Sequence, residues 1–211
     1  MLFTPVFCYH VFDICLNNTV QRRISKGECS LMKYELVADN VIAFEDKTLY
    51  QIRALMDFAD VKAQDLGGFV ESTFNLSQDG ESWIYDQACV LEQARIYQNA
   101  KVKDQAVVRG KALVSGRALV QGQALIADSA SLQFYAQVSD QAQVLDQAHI
   151  QDSARVTGKA VVKGEAYILD NAVVGGSAMI GGTVLVCGDS EVISGEEYVE
   201  QEILFAAKAA T

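Results

Sequence analysis

From residue 81 to residue 194 the apolar positions return with a strict period of six, through nineteen consecutive units without an insertion or deletion. The units run ESWIYD, QACVLE, QARIYQ, NAKVKD and on to DSEVIS. The fourth position is always Val, Ile or Leu, and the second is Ala in all sixteen units from Ala88 to Ala178. Positions two and four lie two residues apart, so on an extended strand both point to one side and the residue between them to the other. The sixth position is Gly in eight and Asp in seven of the first eighteen units. Gly accepts positive φ without penalty and Asp can hydrogen-bond its local backbone, so each unit predicts a short strand followed by a corner. A unit this short cannot bury a face alone and must stack on copies of itself. The expected core is narrow, built of Ala and branched aliphatics.

The flanks abandon the period. Residues 33–80 predict a β-rich N-terminal cap: YELVAD and NVIAFED read as short strands, and Asp65-Leu66-Gly67-Gly68-Phe69 reads as a turn leading into a strand, FVES. TLYQIRALMDF (48–58) carries apolar residues at both strand and helix spacings, so its periodicity leaves both open. A cap is physically required, because the first coil of a stacked column would otherwise present a row of unpaired backbone groups. In 195–211 the acids Glu196, Glu197, Glu200 and Glu202 precede Ile203, Leu204 and Phe205, an order that suits a short helical C-terminal cap. Residues 1–31 show no repeat and lack the basic start and small-residue cleavage site of a secretory signal. Lys26-Gly27-Glu28 back-translates to a purine-rich, ribosome-binding-like stretch upstream of Met32. The expectation is that translation starts at Met32 and that 1–31 is a non-domain leader.

Composition narrows the function classes. A net charge of −10 argues against a polymeric nucleic acid as partner, and no apolar run approaches the ~18 residues needed to span a bilayer. The five cysteines, Cys8, Cys15, Cys29, Cys89 and Cys187, stand at no metal-ligand spacing. They read as free thiols of a reducing, cytoplasmic compartment, and no metal site is expected.

Strand, corner, strand, corner at a six-residue period resembles the hexapeptide-repeat family, in which an aliphatic, a small or acidic residue, two free positions, a small residue and a free position repeat; Val90-Leu91-Glu92-Gln93-Ala94-Arg95 follows this apart from a loose second place. The resemblance implies an all-β, left-handed parallel β-helix with three hexads per triangular coil, often assembled as a homotrimer. The 114 residues would give a little over six coils in a prism roughly 30 Å long. A narrower resemblance lies in QIRALMDFADVKAQDLGGFVES and NLSQDGESWIYDQA, which are similar to the YdcK-like group of bacterial and prophage hexapeptide proteins. That group is labelled acyltransferase on fold alone, and a fold does not fix a function.

Three hexads per coil sort the outward strand centres into walls. One wall presents Cys89, Val107, Leu125, Gln143, Val161 and Met179, an apolar stripe that predicts homo-oligomerisation unless the cap covers it. A second presents Arg95, Leu113, Ser131, His149, Tyr167 and Leu185, and the third Trp83, Lys101, Leu119, Gln137, Arg155, Val173 and Glu191. Arg95, Lys101, Lys103, Arg109, Lys111 and Arg117 crowd the early coils, while residues 118–154 hold no Lys or Arg. This band could hold a phosphate-bearing ligand or simply keep the prism soluble. Phe134-Tyr135 breaks the corner rule; it should be exposed, one coil above Arg117, and suits either ring stacking on a ligand or a contact between subunits.

His149 is the one histidine of the repeat, stacked between Ser131 and Tyr167. Hexapeptide acyltransferases use an interface histidine as base, so the resemblance implies His149 in that role with acetyl-coenzyme A as donor; a surface or interface histidine is the plainer alternative. Against an enzyme stand the absence of any loop interrupting the hexads and the need for a concave site. The leading expectation is a non-catalytic binding or scaffold module. It would hold a small anionic, nucleotide-like ligand in intersubunit grooves through Arg117, Phe134, Tyr135, Lys101, Arg95 and Tyr167. An acyltransferase and a structural component of a phage-derived assembly are the alternatives.

Overall fold

The computed structural model describes residues 32–193, 195, 197, 198 and 203–206. Residues 1–31, expected to stand apart from the domain, fall outside these. So does most of the tail expected to form a short helix; its described parts, Glu197–Tyr198 and Ile203–Ala206, are strands. Among the described residues every regular element is β.

Each hexad contributes a strand that begins at its third position, and each strand pairs in parallel with those eighteen residues away: Leu119 faces Lys101 on one side and Gln137 on the other. The result is a three-walled parallel β-solenoid. The first wall runs from Cys89–Val90 to Glu197–Tyr198, the second from Arg95–Ile96 to Ile203–Ala206, and the third from Trp83–Ile84 to Glu191–Val192; the second and third hold seven strands each. Ala at position two and the aliphatic at position four are buried in every unit from Ala88 to Ile180, which fills the narrow interior as the alternation predicts.

All eighteen corner residues from Asp86 to Gly188 have positive φ. Aspartate suits these corners for a reason that the local backbone alone does not supply. Its carboxylate accepts from the backbone N–H of the corner one coil on, as Asp104 does from Gly122 at 2.8 Å and Asp170 from Gly188 at 2.9 Å. Each such bond ties two coils together at an otherwise bare turn.

The cap is a three-stranded antiparallel sheet, β1 (Tyr34–Phe44), β2 (Lys47–Ala54) and β3 (Leu66–Val70). The two short strands expected in YELVAD and NVIAFED form one strand, with a register irregularity between Val37 and Val41. The ambiguous stretch from Thr48 is strand as far as Ala54. Its period is blurred because both faces are covered: Ile52 and Ala54 join the solenoid core, while Leu49 packs with Phe69, Cys89 and Leu91. Gly67 and Gly68 lie inside β3, not in a turn; the turn comes earlier, where Asp65 accepts from the Lys62 N–H. β3 pairs in parallel with Cys89–Val90 and so converts the antiparallel cap into the first wall.

Side chains of the cap close the open end of the column. Tyr34, Ile52, Leu76 and Trp83 are fully buried, with Phe58 and Tyr34 edge-on to Trp83 at 5.3 and 6.2 Å between ring centres. The Tyr34 hydroxyl donates to the Leu76 carbonyl at 2.6 Å. Buried Lys33 donates from Nζ to the carbonyls of Ser82 (2.9 Å) and Gly80 (3.3 Å), and burial pulls its ammonium down to about 8.

Candidate functional site

The predicted stacking of the second wall is realised. Ser131, His149 and Tyr167 occupy successive rungs. Ser131 Oγ and His149 Nδ1 are 2.7 Å apart, and the His149 and Tyr167 rings stack at 4.6 Å and 18°. Ser131 is buried, His149 half-buried and Tyr167 exposed. Regular pairing of hexads alone produces this column, since each of the three holds position three of its unit. With Nδ1 engaged by Ser131, Nε2 is the ring nitrogen left to exchange a proton with anything outside the wall.

The basic band is less uniform than its sequence suggests, because the cap reaches down to it. Lys101 donates to Asp60 at 2.6 Å, and Tyr85 OH donates to the same carboxylate at 2.8 Å. The hydrogen bonds from Lys101 and Tyr85 hold Asp60 down at about 2. Arg109 is shared between Glu45 (2.9 Å) and Glu92 (3.3 Å). Arg95 lies over the exposed Phe74 ring at 4.6 Å, and Lys103 over Tyr85 at 4.5 Å. Arg117 is exposed, has no ion-pair partner among the described residues, and stands 5.9 Å from the centre of the Tyr135 ring.

Two adjoining hollows meet at Arg117. On the third wall a groove of about 320 Å³ is lined by Asn99, Lys101, Lys103, Arg117, Leu119 and Gln137, with Glu81 at its base. Around the edge between the second and third walls, a hollow of about 370 Å³ is lined by Gln98, Asn99, Arg117, Phe134 and Tyr135. Phe134 and Tyr135 are half exposed, at 51% and 55%, as the narrow core requires. Phe134 sits at φ +58°, a conformation unfavourable for a bulky L-residue, and the backbone of Gly116 packs directly beneath it. Of the six residues expected at a ligand site, four converge here: Arg117, Phe134, Tyr135 and Lys101. Arg95 and Tyr167 stand on the second wall, away from the groove.

Sequence reasoning missed Asp60, Glu45, Tyr85 and Phe74, which tie up or shield four of the six residues of the band. Three of these lie in the cap or the segment after it, where no period assigns a wall; Tyr85 holds position five of its hexad and could have been placed beside Lys103 by stacking. Trp83 and Cys89, placed at outward positions, are covered by the cap and buried. The apolar stripe of the first wall is therefore closed at its base. Among the described residues no group of three or more His, Cys, Asp or Glu side chains could hold a metal ion, and no helix is long and apolar enough to cross a membrane. The chain matches no protein-family model and no curated protein sequence.

Proposed function

We propose that the protein is a binding module that holds a small anionic ligand carrying a ring, of the nucleotide type, where the third-wall groove meets the Phe134-Tyr135 edge. Arg117 and Lys103 supply the positive charge for a phosphate, with Lys101, paired to Asp60, beside them, and Arg117 offers a planar, two-pronged donor. Phe134 and Tyr135 supply exposed faces for the ring. The observation that carries this reading is Phe134 at positive φ. A bulky side chain held in the left-handed region costs on the order of 1 kcal/mol, and Phe134, unlike the Asp, Glu and Gln corners, cannot offset it with a bond to the next coil, which supports a task beyond folding.

Phe134→Gly separates stability from binding. The variant should melt higher than the parent, by roughly 1 kcal/mol of relieved strain. Adenine nucleotides should raise the melting temperature of the parent, since binding to the native state stabilises it. That increase should disappear in both Phe134→Gly and Arg117→Ala. Failure of a nucleotide panel to shift the parent overturns the reading.

A second reading, an acyltransferase using a coenzyme A ester, draws on the Ser131–His149–Tyr167 column. There His149 would take the proton of an acceptor hydroxyl or amine, with Ser131 fixing the tautomer. On this reading His149→Ala lowers turnover at least about a hundredfold and leaves coenzyme A binding intact. Transfer that survives the substitution rejects it.

A further inference from the structure

We infer that the second wall is an interface between two antiparallel copies of this chain, related by a two-fold axis that runs along the strands between the Ser131 and His149 rungs. Three observations lead there. The first is where exposed apolar surface lies. On the prism, Leu113, Tyr167 and Ile203 of the second wall are exposed, and Phe134 and Tyr135 form its trailing edge. By contrast the outward residues of the first wall from Val107 to Met179 are half-buried, and Cys89 is covered by the cap. A stripe of exposed apolar side chains on a folded prism marks association.

The second observation is self-complementarity. A two-fold axis along the strands keeps each position of the hexad opposite the same position and exchanges the rungs about its centre. Ser131 then faces His149 of the second copy, Leu113 faces Tyr167, and Lys111 faces Glu165. Every one of these contacts occurs twice. From Gln93 to Cys187, the outward positions one, three and five of this wall carry only three charges, Arg95, Lys111 and Glu165. Lys111 and Glu165 are both exposed, and neither is in an ion pair among the described residues. Lys111 and Glu165 stand in matched places around a weakly charged, partly apolar strip, the charge pattern that fixes orientation at an interface.

The third is that the same operation fails on the other walls. On the first wall it brings Arg109 against Lys163, and on the third it brings Glu81 against Asp189, in each case like against like. At this register the second wall alone sets no like charges against each other. The pairing places Phe134 at the rim, near Asp152 of the second copy, and leaves the third-wall groove open. Phe134 thus belongs to both readings, and the test turns on Lys111 and Glu165, which the ligand reading does not use.

The test is the mass and the charge logic of the full chain in solution. Sedimentation equilibrium should show a dimer. Lys111→Glu and Glu165→Lys should each weaken it at least about tenfold, since each reversal sets like charges against each other twice. The double variant Lys111→Glu with Glu165→Lys should recover the parent affinity. A second arm does not depend on affinity. In one chain Lys111 and Glu165 are three coils apart, about 14 Å. Facing walls stand ~10 Å apart, so a two-headed thiol reagent of that span should join Lys111→Cys with Glu165→Cys between copies, while each single variant should stay unlinked. A monomer, a trimer, a double reversal without recovery, or a cysteine pair that fails to link copies overturns the inference.

Discussion

Gly68→Val should detach the cap from the solenoid at a cost of about 3 kcal/mol or more. Gly68 lies in β3, buried, where the cap strand passes across the end of the column. A Cβ built there falls 2.5 Å from the carbonyl oxygen of Ala88, 2.6 Å from Ile84 Cγ2 and 3.0 Å from the Tyr85 carbonyl oxygen. Two of these three atoms are backbone of the first coil and cannot swing aside, so the strand itself must lift. Lifting β3 breaks its pairing with Cys89–Val90 and uncovers Trp83, the single tryptophan of the chain. Tryptophan emission should therefore shift to the red at temperatures where circular dichroism still reports an intact solenoid, because a stacked column can lose an end without losing its middle. Once bare, the end is an unpaired sheet edge and should aggregate. Leu66→Val, two residues away at a 54% exposed position of the same strand, is the control and should melt like the parent. A Gly68→Val protein with unshifted emission and parent-like melting would show that the cap does not dock through this contact.

The contrast between solenoid and cap shows what the chain's pattern makes legible. Stacking at eighteen residues follows from the six-residue period once the hexapeptide-repeat resemblance supplies three hexads per coil, and the Ser131–His149–Tyr167 column and the Arg117–Tyr135 approach are then implicit in the spacing. Each is a contact between equivalent positions of consecutive coils. The corner aspartates are half legible: their residue type announces the turn, but the bond to the next coil is invisible until coils are stacked. The cap is different in kind. β2 is buried on both faces, so its apolar residues fit strand and helix spacings alike, and Gly67 and Gly68 read as turn formers because close backbone approach leaves the same signature as a turn. Which outward residues the cap covers is consequently hidden as well. Trp83 and Cys89 occupy positions identical in the repeat to exposed Tyr167 and half-buried Met179, and only the fold of 33–80 makes them core. The charge of the basic band is moderated in the same way, by Asp60 and Glu45, whose places depend on loops that carry no periodic signal.

The other large effect concerns a residue that no motif singles out. Asn75 is fully buried in the segment between β3 and the first hexad. The segment bridges onto the second wall at Leu76 and Ile96 and serves as that wall's end rung. The Asn75 side chain supplies what a regular strand would have supplied. Its amide donates to the carbonyls of Ala94 (3.0 Å) and Glu92 (3.1 Å), and its Oδ1 accepts from the Ser72 N–H at 2.9 Å. Asn75→Ala removes all three bonds at once and leaves the two carbonyls without the donor that a further coil would have brought. Buried groups stripped of partners cost about 1–3 kcal/mol each when water cannot reach them, and partial relaxation brings the expected loss to roughly 3 kcal/mol. Asn75→Asp distinguishes hydrogen bonding from packing, because it preserves shape. The introduced carboxylate can still accept from Ser72 but meets two carbonyl oxygens where it needs donors, so the folded state favours the protonated form and the new carboxyl group's pKa is raised above its unfolded value. The unfolded state then releases its proton first as pH rises. The stability of this variant should be greatest in acid and fall as pH increases through the ordinary aspartate range near ~4 up to the raised folded value. The parent has an amide there and lacks this component, so the difference between the two denaturation midpoints, followed from about pH 3 to about pH 7, isolates it. A difference that stays flat with pH would mean that the Asn75 amide does not face those carbonyls.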